Sequence, residues 1–475
     1  MVQTITSKIV TLNVTVTAAS QSSQLQQSGA IVSLGGTTLS TNSYQFCGTL
    51  AAFNSLVGSS GNYTEVANMG ATFFSQGSSV GVYVLELGIQ SVPTVGPSAL
   101  GTFITNNPNL FYVHLTPSEW DFTPIMAPPA PTCSSVAGGT LTAETYSVRI
   151  TYVNPVGETV RSVIVSQSVA ADFLLVVDSP AAEAGATGWN VYVGQQPNIG
   201  ATLQNSTPIA IGTNWTLPTT GLVTGVAPPL VNTTGDAFTN LISQYTSPTA
   251  KTYFFGTTTA ANISNYSGYK SAFMTVPSPN ANSVEFPAAM PFYQCLANNP
   301  SAASPAGPMA FRYAYGVTAW PTTGSQANLT TVLSAYGNAI TSASQGGISE
   351  NMLQNGTTMD GVQFMQWYGI DWYQIQSSQA LTATVINGSN QNPPLIYNQN
   401  GINTLETVVQ DLGNTAIAFQ LLSSAVVTAT PFATYVAQNP ANYQSGIYNG
   451  LAATIVSQAG FLNITFNIDA VQFAA

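Results

Sequence analysis

Two segments near the ends of the chain alternate apolar and polar residues with a period of two. Val10, Leu12, Val14 and Val16 interleave with Thr11, Asn13, Thr15 and Thr17; Leu462, Ile464, Phe466 and Ile468 interleave with Asn463, Thr465, Asn467 and Asp469. This is the pattern of a strand with one apolar face. Apart from Lys8 and Asp469, neither segment carries the charge or proline that guards an exposed edge. Both therefore predict a pairing partner: each other, as an internal hairpin, or the sheets of neighbouring copies.

Between the ends the pattern changes character. Asn62 followed by Glu65 is a capping-box variant, and Tyr63, Val66, Phe73 and Phe74 then share a helical face that Gly77 ends. Val80–Leu87 reads as a strand covered on both faces, so this region predicts a βαβ arrangement. Further on, Thr252–Phe255 and Ala272–Val276 read as strands flanking a short helix, with another helix over Ser283–Asn298. Two longer helices follow. Val362, Met365, Tyr368, Trp372 and Ile375 mark one from Gly361 to about Thr384. Ile402, Leu405, Val409, Leu412, Ala416 and Phe419 mark the other, from Asn403 to about Ser424, with Asn403 and Glu406 as another capping-box variant.

Two proline clusters, Pro124 to Pro131 and Pro228–Pro229, bracket a region of another kind. Short β-branched and aromatic runs recur there (Tyr146–Tyr152, Val160–Val165, Phe173–Val177, Trp189–Val193, Pro208–Trp215), with a turn at Asn154-Pro155-Val156-Gly157. They predict an antiparallel β-sandwich of immunoglobulin or fibronectin type. Tyr146, Val148, Ile150 and Tyr152 would supply its buried face and Ser147, Arg149 and Thr151 its wet one. The expected fold class is α+β: an α/β core domain interrupted by this insertion. The expected divisions are an N-terminal arm at 1–20, core at 21–126, insertion at 127–229, core at 230–458 and a C-terminal strand at 459–475.

Composition narrows the function. Six basic and 17 acidic residues make up 5% of the 475 residues, against 45% apolar, with a net charge of −11. Six dispersed bases make no nucleic-acid face. Solubility rests on Ser, Thr, Asn and Gln, groups that are buried against a partner without the cost of desolvating an ion, so the surface suits extensive protein contacts. Met1–Ser20 lacks the basic and apolar regions of a secretory leader, and no stretch of about 20 apolar residues predicts a membrane span. Cys47, Cys133 and Cys295 have neither disulfide-framework nor zinc-site spacing.

Catalytic chemistry finds little to stand on. The single histidine, His114, lies in a buried-strand pattern and reads as a hydrogen-bonded core imidazole. No nucleophile-elbow, zincin, phosphate-loop or dinucleotide motif accompanies it. Asp360 and Asp371, placed along one helix, would stand roughly 16 Å apart, too far for paired-carboxylate hydrolysis. No catalytic, cofactor-binding or metal residues are expected, and no enzyme. On the helix from Asn403 the scarce charges Glu406 and Asp411 stand within about two turns of each other, either as a cap and a solvated carboxylate or as a contact surface.

Three segments carry a family resemblance. Leu50-Ala-Ala-Phe-Asn-Ser-Leu-Val, Tyr63-Thr-Glu-Val-Ala-Asn-Met-Gly-Ala-Thr-Phe-Phe-Ser-Gln and Gly81-Val-Tyr-Val-Leu-Glu-Leu-Gly resemble the N-terminal region of contractile-tail sheath proteins of myophages. Residues Gly361–Ala475, with two amphipathic helices, a tyrosine-containing connection at Asn442–Tyr448 and a final β segment, are similar to the C-terminal part of that family. The bracketed region resembles the immunoglobulin-like modules of phage structural proteins. The resemblance implies a structural subunit that polymerises in stacked helical rings around a tail tube and contracts to drive the tube through the host envelope. Its partners would be further copies of itself, the tube protein, and baseplate and tail terminator proteins, in a virion tail assembled in the host cytoplasm. Val10–Val16 and Leu462–Ile468 would be the exchanged strands, and Glu406 and Asp411 would face the tube. A second reading is a surface receptor-binding or adhesin protein in which Trp189, Trp215 and Tyr192 stack on sugar rings.

Overall fold

The computed structural model describes residues 25–90, 95–196, 200–342 and 350–462. Two compact units emerge. Among the described residues the first is drawn from 25–90, 100–118 and 242–462, the second from 95–99 and 119–241.

The first unit is α+β. Its N-terminal half contains β1 (Gly29–Ser33), β2 (Ser43–Cys47), α1 (Leu50–Asn54), α2 (Tyr63–Ser75), β3 (Val82–Glu86), α3 (Val95–Asn106, its first turn belonging to the second unit) and β4 (Val113–Leu115). Strands β1, β3 and β4 are parallel, and their buried apolar runs are those of strands covered on both faces. Helix α2 forms as its pattern predicts and buries Val66, Met69 and Phe73. Asn62, however, does not cap it: its side-chain oxygen accepts from Leu34 N, leaving α2 without that bond.

The second unit holds seven strands and most of a short helix: β5 (Cys133–Ala137), β6 (Glu144–Val153), β7 (Val165–Val169), β8 (Phe173–Val177), β9 (Gly188–Gln195), β10 (Thr202–Leu203), β11 (Trp215–Thr216) and α4 (Ala237–Ser243, its last two residues belonging to the first unit). The strands form two antiparallel sheets, β5-β8-β11 and β7-β6-β9-β10. Val148, Ile150, Leu175, Val177, Trp189 and Trp215 from both sheets fill one core. Two expectations change here. The run at Val160–Val165 is largely a loop, and the strand begins at Val165. The Ser147 and Thr151 face of β6 is not wet: both are fully buried, Ser147 beneath Gln196 and Thr151 beneath the Glu158 carboxylate.

The first unit resumes with β12 (Tyr253–Thr257), β13 (Ala272–Thr275), α5 (Ala289–Leu296), α6 (Gln326–Ser334), β14 (Ala339–Ser342), β15 (Asn351–Gln354), α7 (Phe364–Ser389), α8 (Gln399–Ala418), β16 (Leu422–Ala429), α9 (Phe432–Gln438), α10 (Pro440–Gln444) and β17 (Leu451–Ser457). Strands β12 and β13 complete a six-stranded sheet of order β13-β12-β4-β1-β3-β2, parallel except for β2. Three boundaries move. Pro287 delays α5 to Ala289. Helix α7 starts at Phe364, so Asp360 lies before it, in a turn closed by Thr358 Oγ1 and Val362 N. Helix α8 is capped by Asn398, whose side chain accepts from Gly401 N, rather than by Asn403. It ends at Ala418 because Gln420 turns left-handed (φ 58°), and Leu422–Ser424, read as its last turn, are the first residues of β16.

Candidate assembly site

An open parallel sheet offers ligands a crevice at the carboxyl ends of its strands, and here that place is filled from within. Beyond β1, the segment Ser33–Thr37 turns four donors towards the carboxylate of Glu86 at the end of β3, which also accepts from Gly88 N, while Leu34 N and Gly36 N donate instead to Asn62 Oδ1 and Ser33 Oγ. Gly35 N and Gly88 N donate to Oε1 (2.6 Å each); Ser33 Oγ, Thr37 N and Thr37 Oγ1 donate to Oε2 (2.7, 3.1 and 2.7 Å). A nest of backbone N–H groups and hydroxyls of this kind elsewhere holds phosphate. In this chain an internal anion occupies it.

A second buried group joins the sheet to α7. Asp371 is fully buried; Tyr112 and Tyr253 both donate to its Oδ2 (2.9 and 2.8 Å), and Lys270 Nζ lies 3.9 Å from Oδ1. Lys270 also donates to the carbonyls of Ser247, Pro248 and Ala250 and sits over the rings of Tyr253 and Trp367. Burial raises the Asp371 pKa, against the opposing pull of Lys270 and Lys251, and burial likewise lowers that of both lysines. These groups are enclosed in the core and touch no surface. His114 is equally enclosed: its ring lies between Phe111 and Phe254, and burial pushes its pKa down to about 3.

The accessible feature is the two-stranded sheet β16–β17. Its strands pair antiparallel from Leu422↔Ser457 to Ala429↔Leu451. Ala425 and Val427 are buried beneath α8. Gly413 permits the close approach, since a Cβ there would fall 2.6 Å from Ala425 Cβ. Val426 and Val456 remain more than half exposed. In an antiparallel strand the N–H and C=O of one residue point to the same side, alternating along the chain. Gln410 bonds to Ala425 O and Val427 N, which identifies those residues as outward-facing on β16. Through the register, Leu451, Ala453 and Ile455 then face outward on β17. Among the described residues no hydrogen bond reaches the outward backbone groups of these three. The strand reads Leu-Ala-Ala-Thr-Ile-Val-Ser, without charge or proline, which is the composition of an edge open to another strand.

Elsewhere, carboxamides take the place that such a strand would take. Gln76, Gln204, Asn338 and Gln363 each donate to the C=O and accept from the N–H of a single residue, respectively Tyr315, Val223, Thr357 and Gly460. This is the exchange that a strand residue makes in a hydrogen-bonded antiparallel pair. The composition showed a wealth of Asn and Gln, but nothing in the spacing marked these residues, because their partners lie 19 to 239 positions away.

Of the residues singled out in sequence, Leu462 is described and exposed, next to a Phe461 that is three-quarters exposed. Val10, Leu12, Val14, Val16, Ile464, Phe466 and Ile468 lie outside the described residues. Glu406 and Asp411 are on α8, half-buried and exposed respectively. Burial first, then Tyr397 and Glu406, push Tyr448 up to about 12. Trp189, Tyr192 and Trp215 are buried within the second unit and offer no face to a sugar.

No family model and no curated protein matches the sequence. Solved structures do match the fold. A chain of the anti-feeding prophage baseplate aligns over 95% of both chains at 10% identity with a TM-score of 0.51. A chain of the contracted helical sheath of the same prophage aligns over 95% of this chain and 94% of its own, at 10% identity and TM-score 0.45. A sheath tail protein from Listeria innocua aligns over 86% and 92%, at 8% identity and TM-score 0.39. These structural neighbours are sheath and baseplate proteins, and the baseplate chain shares the fold of this one.

Proposed function

We propose that this chain is a structural subunit of a contractile tail sheath, polymerising around a tail tube and contracting to drive the tube through the host envelope. The observation that carries the reading is the uncharged edge of β17, which has no partner among the described residues. Two period-two segments, Val10–Val16 and Leu462–Ile468, have the composition to add to such an edge in a neighbouring copy. Each would bury several apolar side chains at roughly 1.5 to 3 kcal/mol apiece before ordering costs. That is enough to keep subunits linked while they move as rigid bodies. Non-closing contacts of this heterologous kind give an open tube. Residues 127–229 are an immunoglobulin-like insertion on the outside of the polymer, Glu406 and Asp411 approach the tube, and assembly takes place in the host cytoplasm with baseplate and terminator proteins at the ends.

Removing residues 1–18 or 463–475 tests this: each truncated chain stays folded and soluble, and electron microscopy shows no tubes. A point variant makes the same test with the termini intact. Ala453→Pro deletes only an outward N–H, so the hairpin persists and strand addition stops. Tubes formed normally by these proteins would refute strand exchange, and truncated chains that fail to fold would assign the termini to intramolecular pairing.

A further inference from the structure

The two edges of the hairpin are not equivalent, because β16 already has a partner. Gln410 Oε1 accepts from Val427 N at 2.9 Å, while Gln410 Nε2 donates to Ala425 O at 3.1 Å and to Asn414 Oδ1 at 3.2 Å. Both N–H groups of the carboxamide are thereby used, and Asn414, one turn along α8, fixes its orientation. The side chain presents to β16 one donor and one acceptor, the two groups that an incoming strand would present there. Gly413 sets α8 close enough for the glutamine to reach.

Resting on the strand-addition reading above, the geometry points to Gln410 as a removable cap. A strand from a second copy of this chain adds first along the open β17 edge. A second strand enters along β16 only by displacing the Gln410 carboxamide. The occupant is a strand of the same chain because the sequence supplies two uncharged period-two segments and the hairpin has two long edges. The cap imposes an order: the subunit is primed on one side and closed on the other.

The critical concentration for polymerisation of the full-length chain tests the order. Gln410→Ala releases two neutral hydrogen bonds and lowers that concentration about tenfold or more. Gln410→Glu strengthens the bond from Val427 N and puts a charge on the edge, so it raises the concentration. In the unassembled Gln410→Ala subunit, amide hydrogen exchange at Val427 becomes faster than in the parent. Equal critical concentrations for all three proteins, or unchanged exchange at Val427, would overturn the cap. If the chain lacking residues 1–18 still failed to polymerise, strand exchange would survive that result. Normal tubes from the truncated chain would instead remove the reading on which the cap rests.

Discussion

Replacing Lys270 by methionine leaves the Asp371 carboxylate in the core without its nearest cation. The two charges stand 3.9 Å apart with side chains 3% and 0% exposed. At that separation they attract by about 4 kcal/mol at an effective dielectric of about 20, and removing one partner of a buried pair costs about 3 to 5 kcal/mol. The loss depends on pH in a defined direction. Burial already raises the Asp371 pKa, and Lys270 is the largest of the groups holding it down, so in the variant it rises further. A carboxyl whose folded pKa lies above its unfolded value of about 4 contributes stability that is fully present below the unfolded value and is lost as pH rises through the folded one. The deficit of Lys270→Met is therefore smallest near about pH 4.5 and grows towards about pH 8, to roughly 3 kcal/mol. Urea unfolding of the unassembled subunit measures it, followed by far-UV circular dichroism and by the fluorescence of Trp367, whose ring centroid lies 4.6 Å from Lys270 Nζ. Adding Asp371→Asn restores most of the stability, since the carboxamide oxygen still accepts from Tyr112 and Tyr253. A deficit under about 1 kcal/mol, or one equal at the two ends of the pH range, would refute this account of the pair.

Glu86→Gln turns an amide N–H₂ towards donors that now share a carboxylate, and destabilises the first unit by about 2 to 4 kcal/mol; the urea midpoint reports it, and a loss within about 0.5 kcal/mol would mean that the loop holds itself. His114, with its pKa lowered to about 3 by burial, contributes stability that is present above the unfolded value of about 6.5 and is lost as pH falls towards the folded one, at up to about 1.4 kcal/mol per pH unit. His114→Leu accordingly flattens the stability profile between about pH 6 and pH 4, and identical slopes would contradict the burial argument. Glu406→Gln with Asp411→Asn weakens sheath assembly on purified tubes and its sensitivity to salt; no change in either would leave the two carboxylates as a half-buried group and a solvated one.

Periodicity read the long elements well and the junctions poorly. The stripes of α2, α7 and α8 were legible because each buries one face, and the bracketed β-region because its short runs are β-branched. What escaped was decided by single residues acting over distance. Gln420 in a left-handed turn ends α8 although the apolar pattern continues through Leu421 and Leu422, and no glycine marks the place. Asn62 and Asn403 sit where caps belong, yet one serves Leu34 and the other yields to Asn398. Nothing in the spacing marks Glu86, because four of its five donors come from a loop about fifty positions earlier and the fifth from Gly88. The hairpin edge was invisible as well, because a sequence shows which strands lack charge but not which of them is left without a neighbour.

The reliance on carboxamides to pair with backbone N–H and C=O groups has a consequence for endurance. A carboxamide does not titrate and gathers no counterions, so the pattern offered at these joints is the same in acid, brine or fresh water, where a charged partner would change its behaviour with the medium. The same choice fixes how such an assembly would age. Hydrolytic deamidation, to which Asn and Gln are prone on heating, would turn Gln410, Gln363 or Asn338 into a carboxylate, deleting a donor where the backbone carbonyl needs one. The chemistry that makes these joints indifferent to their surroundings also gives them a clock.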